Sequence, residues 1–434
     1  MAENISSCKA LGGGDFTSLA AWEAWAEVSG ALGETAECYD DGGYLGDFNS
    51  QSHWAAGSGQ DADNHTIIRA ADGHGHGGDP DSGARMGYWY STKQNYSEVR
   101  GMRMDRWYLR PNNVAGTNIV GNKCYDNIIG GQANVGSWYT FQIYAYAHAP
   151  DADFHDLEVY NNIILGTSST ATNTFYIYCY TRYTPLLDLS MTFHNNLIIG
   201  NGTQTYGWYS YIHQTNINSH CVFTVDFYNN MAFRATSKDF YFRRKDEWGG
   251  SAGSATYVKD AQNLISADAT GDDWGGSNHQ ISKPVADCIQ DWANGNFEIV
   301  RDGPAHDTGK THAVVTDMLG RARPQDDYFD IGPLELLASD VSTYFGSPIE
   351  LLESFVTSRQ IPTDLLGALI ESGQMPVELA TILVVDPCIL PVELIQPDRV
   401  FHGSTKRVWT VVDNGTTWTV SGRGKTWTIP KRTN

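Results

Sequence analysis

The chain has 434 residues, enough for one large solenoid with small appendages. Only 18% of them are charged, while Gly, Asn and aromatic residues abound, which suits strands and turns with a hydroxylic and aromatic outside. A formal net charge of −21 argues against a nucleic-acid partner, and with no basic-then-apolar start and no run of about 18 apolar residues, neither a secretory leader nor a membrane span is expected.

The first element in chain order is a short amphipathic helix in GGGDFTSLAAWEAWAEVSG, with Leu19, Trp22, Trp25 and Ala26 on one face and Gly30 as its stop. Such a helix would cover the open first rung of a solenoid, whose uncovered end exposes core and strand edges. The segments ECYDDGGYLGDF and HTIIRAADG follow. DGHGHGGDPDSG, residues 72–83, reads as a long mobile loop in which Asp72, His74, His76, Asp79 and Asp81 are the right residue types for a metal, but the flanking glycines argue against a preorganised site.

The middle third carries a repeat: KCYDNIIGG, VYNNIILGT, FHNNLIIGN and FYNNMAFRA. Its second Asn falls at Asn127, Asn162, Asn196 and Asn230, in steps of 35, 34 and 34. A second run keeps the same beat: FQIYAYA, FYIYCYT, WYSYIHQ and FYFRRKD. In that run alternate residues are apolar (Phe141, Ile143, Ala145 and their counterparts), which is a strand with one buried face. Helical spacing appears in neither run, so the period predicts a right-handed parallel β-helix of stacked strands. The Asn column is expected to be structural, its amides hydrogen-bonding along the axis while tolerating left-handed turn backbone. Roughly ten turns are expected, less regular before Val99 and after Asn263. Gly-rich stretches at 249–254 and 271–277 should project. Cys124 and Cys179 fall at inward positions, and Cys8, Cys38, Cys221, Cys288 and Cys388 complete an odd, scattered set without C-x-x-C spacing; disulfides and a zinc site are not expected.

Composition changes near residue 339, giving three regions: 1–338, 339–396 and 397–434. In the second, Pro348, Pro362, Pro376 and Pro391 each start a short helix with an acid two residues on and a Leu-type pair, as in PIELL and PTDLL. The third repeats RVWTVVDNG, TTWTVSGRG and KTWTIPKRT, with Trp409, Trp418 and Trp427 nine apart, and predicts a three-stranded meander. It is basic, with Arg407 and Arg423 among seven cations against two Asp, on an otherwise acidic chain.

Two resemblances extend this reading. GGGDFTSLAAW, ECYDDG and IIRA at the start, with GRARPQDDYFDIGPLE at 320–335, resemble the opening and the D-I-G-x-x-E ending of right-handed parallel β-helix proteins found widely in bacteriophages and bacteria. The resemblance covers about residues 8–337 and implies fold more than function, because that fold hosts lyases, hydrolases, adhesins and inert virion parts. The P-[IV]-E-L helices and the Trp tail, 347–434, are similar to C-terminal extensions of tailed-phage structural proteins, which implies a virion protein.

Outward positions of the second run are Tyr144, Tyr146, Tyr176, Tyr178, Tyr180, Tyr209, Tyr211, His213 and Tyr241. Stacked in register they form an exposed tyrosine sheet, suited to a subunit interface or, alternatively, to stacking on the rings of host glycans or to coverage by a loop. Polysaccharide cleavage would need paired carboxylates. Asp239, Asp246 and Glu247, with Arg182, Arg243 and Arg244, are the candidates near that face, although RRKDE reads first as a solvated turn. Asp188 and Asp226 are expected to lie one position out of register. No P-loop, G-x-S-x-G, H-E-x-x-H or dinucleotide fingerprint is present, and no cofactor is expected.

The expectation is therefore a non-enzymatic homotrimeric virion protein on the particle exterior, assembled in the host cytoplasm. Capsid decoration, as a head spike or cement protein, comes first, because the solenoid begins almost at residue 1 and the basic anchor lies at the other end. Arg407, Trp409, Trp418, Arg423 and Trp427 are the expected attachment residues. The alternatives are a tailspike that cleaves host polysaccharide and an adhesin that only binds it.

Overall fold

The structure is a computed structural model that describes residues 4–29, 33–49, 61, 63, 65–91, 95–110, 119–130, 139–147, 154–167, 172–181, 186–214, 220–246, 256–268, 277–325, 328–337, 408–410, 417–422 and 425–430. The chain divides into two compact units, Met1–Leu337 and Ala338–Asn434.

The first unit is a parallel β-solenoid. One sheet stacks nine strands in sequence order from Asn4–Cys8 through Lys123–Tyr125 to Thr256–Gln262. A second ladder runs from Phe48–Asn49 through Arg85–Ser91, Arg103–Leu109, Tyr139–Ala147, Asn173–Thr181 and Tyr206–Gln214 to Lys238–Asp246. At Arg103–Leu109 this ladder forks, because Met104 pairs with Ile129 while Trp107 pairs with Phe141. From the fork a third ladder of short strands begins: Ile128–Gly130, Ile163–Leu165, Leu197–Ile199, Met231–Phe233 and Ile265–Ser266. The three-sided turns thus number about five rather than ten, since earlier turns lack the third ladder.

Alternation sets what faces inward. Trp89, Trp107, Phe141, Phe175 and Trp208 form one buried column with ring centroids 4.8, 4.3, 4.3 and 3.7 Å apart. Rungs repeat at ~4.8 Å, so equivalent flat rings on successive turns meet at stacking distance without further adjustment. The short strands read as continuous apolar runs because both of their faces are buried. Ile129, Ile164 and Ile198 belong to the solenoid core, while Ile128, Ile163, Leu197, Met231 and Ile265 cluster with Cys288, Ile299, Met318, Ile331 and Leu334 from the segment that follows the last rung.

The helix spans Leu19–Ser29, and Leu19, Trp22 and Ala26 are buried in the core cluster of the first rungs. Trp25 is 42% exposed and rests on Phe16 instead, because the apolar face is narrower than four residues require. In the second unit, Val408–Thr410, Thr417–Gly422 and Lys425–Pro430 form an antiparallel three-stranded sheet. The region 339–396, with its expected helices, lies outside the described residues, as do most of 249–254 and 271–277.

Candidate functional site

The outward positions of the second ladder form three columns. The first is Tyr90, Tyr108, Gln142, Tyr176, Tyr209 and Tyr241; the second Tyr144, Tyr178, Tyr211 and Arg243; the third Tyr146, Tyr180, His213 and Lys245. Ring centroids lie 4.9 Å apart for Tyr144–Tyr178, 5.5 Å for Tyr176–Tyr209, 5.4 Å for Tyr209–Tyr241 and 5.0 Å for Tyr180–His213. This face is not the open tyrosine sheet expected from the sequence. Tyr176 and His213 are buried, and Tyr144, Tyr178, Tyr180, Tyr209, Tyr211 and Tyr241 are half-buried. Rings stacked at the rung spacing cover one another and leave mainly edges to solvent. The side chains of Tyr146 and Lys245 lie outside the described residues.

Cations sit on these rings, a feature missed from the sequence although Arg106 and Arg110 both lie on the rung just before the regular repeat. The Arg106 guanidinium lies 4.9 Å from the Tyr108 centroid and donates to Gln142 Oε1 at 2.7 Å. Arg110 lies 5.5 Å from the Tyr144 ring and Arg243 lies 5.1 Å from the Tyr211 ring. Burial pulls Arg106 below the usual arginine value, and its Nε–H is buried without an acceptor among the described residues. Among the described residues, none of these three arginines forms an ion pair, and no position in the three columns is acidic.

The paired asparagines do two separate jobs. The second of each pair points inward and is fully buried: Asn127 Nδ2 donates to Asn162 Oδ1 at 3.1 Å, Asn162 to Asn196 at 3.0 Å and Asn196 to Asn230 at 2.9 Å. The first of each pair takes the left-handed backbone: Asn161, Asn195 and Asn229 have φ of 52°, 54° and 55°, and Asp126 stands in their place one turn earlier with φ 55°. The left-handed geometry therefore belongs to the neighbours of the buried column, and not to the column itself.

Those neighbours hold the return segment. Asn229 Nδ2 donates to the Lys310 carbonyl at 2.8 Å and Lys310 N–H donates to Asn229 Oδ1 at 2.7 Å. His312 Nε2 lies 2.8 Å from Asn195 Nδ2, and Asn161 Nδ2 donates to the Thr316 carbonyl at 3.0 Å. Residues 310–316 thus run back along the turns, one contact per rung. His312 also packs on His194, which stacks between Tyr160 and Tyr228. Burial lowers both imidazoles, His312 to about 3, and lifts the Asp126 carboxyl to about 7. The D-I-G-P-L-E ending knots this segment: Asp317 accepts from the main-chain N–H of Leu319, Arg321 and Glu335, and buried Arg323 pairs with Glu335 at 3.3 Å and donates to the Gly332 carbonyl.

Of the carboxylates singled out near the tyrosine face, only the Asp239 side chain lies among the described residues. Asp239 is buried, with Oδ1 accepting from Ala235 N–H and Oδ2 from Ala267 and Asp268 N–H, so it pins two loops at the wall of a cleft of about 200 Å³; burial raises it to about 6. Side chains of Arg182, Arg244, Asp246 and Glu247 lie outside the described residues. Asp226 pairs in register with Thr192 and Asp188 with Val222, so those two acids are four positions apart and not one. A pair that sequence reading missed is Asp226 and Asp260, register partners on successive rungs, with Lys310 Nζ 3.6 Å from Asp260.

The loop at 72–83 adopts a folded, hydrogen-bonded conformation. His76 is buried, with Nε2 on the Asp126 carbonyl at 2.8 Å and Nδ1 accepting from Gly78 N–H; His74 Nδ1 accepts from Asp40 N–H. Both histidines are engaged in holding the loop. Elsewhere, His306, Asp307 and Asp330 bring ligand atoms within 4.8 Å of one another, but both Asp330 oxygens already accept main-chain N–H groups.

In the C-terminal sheet, Trp409 and Trp427 are both register partners of Val420, and Trp418 pairs with Ile429, which puts the three tryptophans at register positions of one face. Arg407 and Arg423 lie outside the described residues.

Fold and faces together define a parallel β-solenoid with an arginine-studded aromatic side. No family model matches the chain, nor does any curated protein or solved structure.

Proposed function

We propose that the chain is a non-enzymatic structural protein of a bacteriophage particle: a right-handed parallel β-helix displayed as a homotrimer on the capsid as head decoration. The helix Leu19–Ser29 would close its first rung, and the C-terminal Trp sheet, preceded by short Pro-initiated helices, would attach it. The observation that carries the non-enzymatic reading is the state of Asp239. Both oxygens of the best-placed carboxylate accept main-chain N–H groups, so it serves the fold even though Asp268 lines the same cleft. The return segment, bonded rung by rung to the solenoid, favours a rigid display body over a body with a moving lid. Removing residues 397–434 tests the reading. The truncated solenoid should fold and lose co-purification with particles, whereas incorporation at normal copy number would overturn the anchor assignment. Gold-labelled antibody against residues 72–83 should mark the head.

A second reading, a receptor-binding protein that holds host polysaccharide, is favoured by the three arginines seated on tyrosine rings, which have no carboxylate partner among the described residues.

A further inference from the structure

We infer that the tyrosine–arginine face binds an extended anionic polysaccharide, one whose sugar rings carry carboxylates. This rests on the second reading above and adds the ligand's charge class.

Three observations converge. First, the chain carries a net charge of −21, yet the three columns contain Arg243 and no acid, and Arg106 and Arg110 lie on the rings of the same face. A cationic strip on an acidic protein needs a reason, since solubility alone would favour interspersed signs. Second, the arginines are positioned, and among the described residues none has a carboxylate partner. Arg106 is held by Gln142 and Tyr108, and Arg243 lies against Tyr211 at the far end. A guanidinium held on an aromatic face keeps N–H donors for an incoming carboxylate, and a charged hydrogen bond there is stronger than a neutral one. Third, the columns are linear. Tyr90 to Tyr241 spans five rung steps, roughly 24 Å at ~4.8 Å per step. That suits an elongated chain lying along the axis, with sugar rings against aromatic edges and hydroxyls. A second copy of the same face would bring arginine towards arginine. Nucleic acid would also find stacking partners and cations, but it must approach a protein of like net charge.

The test is isothermal titration of full-length protein with three probes: an oligogalacturonate, maltoheptaose as a neutral glucan, and an oligo-dT. Oligogalacturonate should bind, weaken as salt is raised, and exceed maltoheptaose by about tenfold or more. Arg243→Gln, on an exposed side chain, should cut oligogalacturonate affinity by about tenfold, as loss of one charged hydrogen-bonding group does, without changing the melting temperature. Arg106→Gln should do the same and is read only if it melts like the parent. Equal binding of maltoheptaose, lost in Tyr211→Ala but retained in Arg243→Gln, would overturn the anionic class and leave glycan binding standing. No binding of either sugar would overturn both. Tighter binding of oligo-dT than of oligogalacturonate would overturn the inference in favour of nucleic acid.

Discussion

Asn162 Oδ1 accepts two hydrogen bonds from Asn127, one from its main-chain N–H and one from Nδ2, both at 3.1 Å. Asn162 Nδ2 in turn donates to the Cys124 carbonyl at 2.9 Å and to Asn196 Oδ1 at 3.0 Å. Each buried amide thus satisfies main-chain groups at the strand bend of its neighbour, so the ladder fixes where every turn corners. Asn196→Ala should be severe. It would strip acceptors from Asn162 N–H and Nδ2, a donor from the Val159 carbonyl and a donor from Asn230. At about 1–3 kcal/mol per orphaned buried group, a loss of roughly 3 kcal/mol or more is expected from urea unfolding, and a loss under about 1 kcal/mol would show that the ladder is dispensable.

Asp126 occupies a position held by Asn in the next turns, at Asn161, Asn195 and Asn229. Burial raises its carboxyl to about 7 from an unfolded value near 3.8. The folded state therefore binds more protons between those values, and stability from this group is full below pH ~4 and lost as pH rises through ~7. Asn at 126 keeps an oxygen for Asn161 Nδ2 and tolerates φ 55°. Asp126→Asn should be more stable than the parent by about 1–2 kcal/mol at pH 8, with the gap closing towards pH 4. A destabilised variant at pH 8 would refute this.

His312 has the opposite sign. Burial, with Arg323 and Lys310 nearby, lowers it to about 3 from an unfolded value of 6.5. The unfolded chain then binds the extra proton, so its stabilising contribution is complete above pH 6.5 and falls as pH drops towards 3. Protonation would also remove the Nδ1 acceptor used by Val314 N–H. Relative to His312→Gln, the parent should lose up to about 1.4 kcal/mol per pH unit below 6.5. Denaturant melts at pH 7.5, 6.5 and 5.5 measure the gap; a gap that stays constant would mean that His312 titrates normally.

Asn229→Ala tests the return segment. It removes two reciprocal bonds to Lys310 and puts Ala at φ 55°. Two lost bonds and a left-handed Ala together should cost about 2–4 kcal/mol. Hydrogen exchange should quicken at residues 310–316 while strand amides of the rungs before Asn127 stay protected. Uniform exchange across the solenoid would show that the segment is not separately held.

Local features were legible in the sequence. Alternation in FQIYAYA and FYIYCYT assigned Phe141, Ile143, Phe175 and Ile177 to the inside, and the period near 34 put like residues on successive rungs, because in-register stacking maps a sequence period directly onto space. The same logic placed the tyrosines in one face but could not give their exposure, which depends on ring tilt between rungs.

What tertiary structure alone decided lies at long range. The division of labour within each Asn pair appears only when residues 310–316 arrive, 81 residues from Asn229, 117 from Asn195 and 155 from Asn161. The doubly apolar short strands, the neutral burial of His312 and the engagement of Asp239 likewise depend on segments that follow no period. Periodicity encodes contacts between equivalent positions; a single return pass makes contacts between unlike ones, and no spacing in the chain announces them.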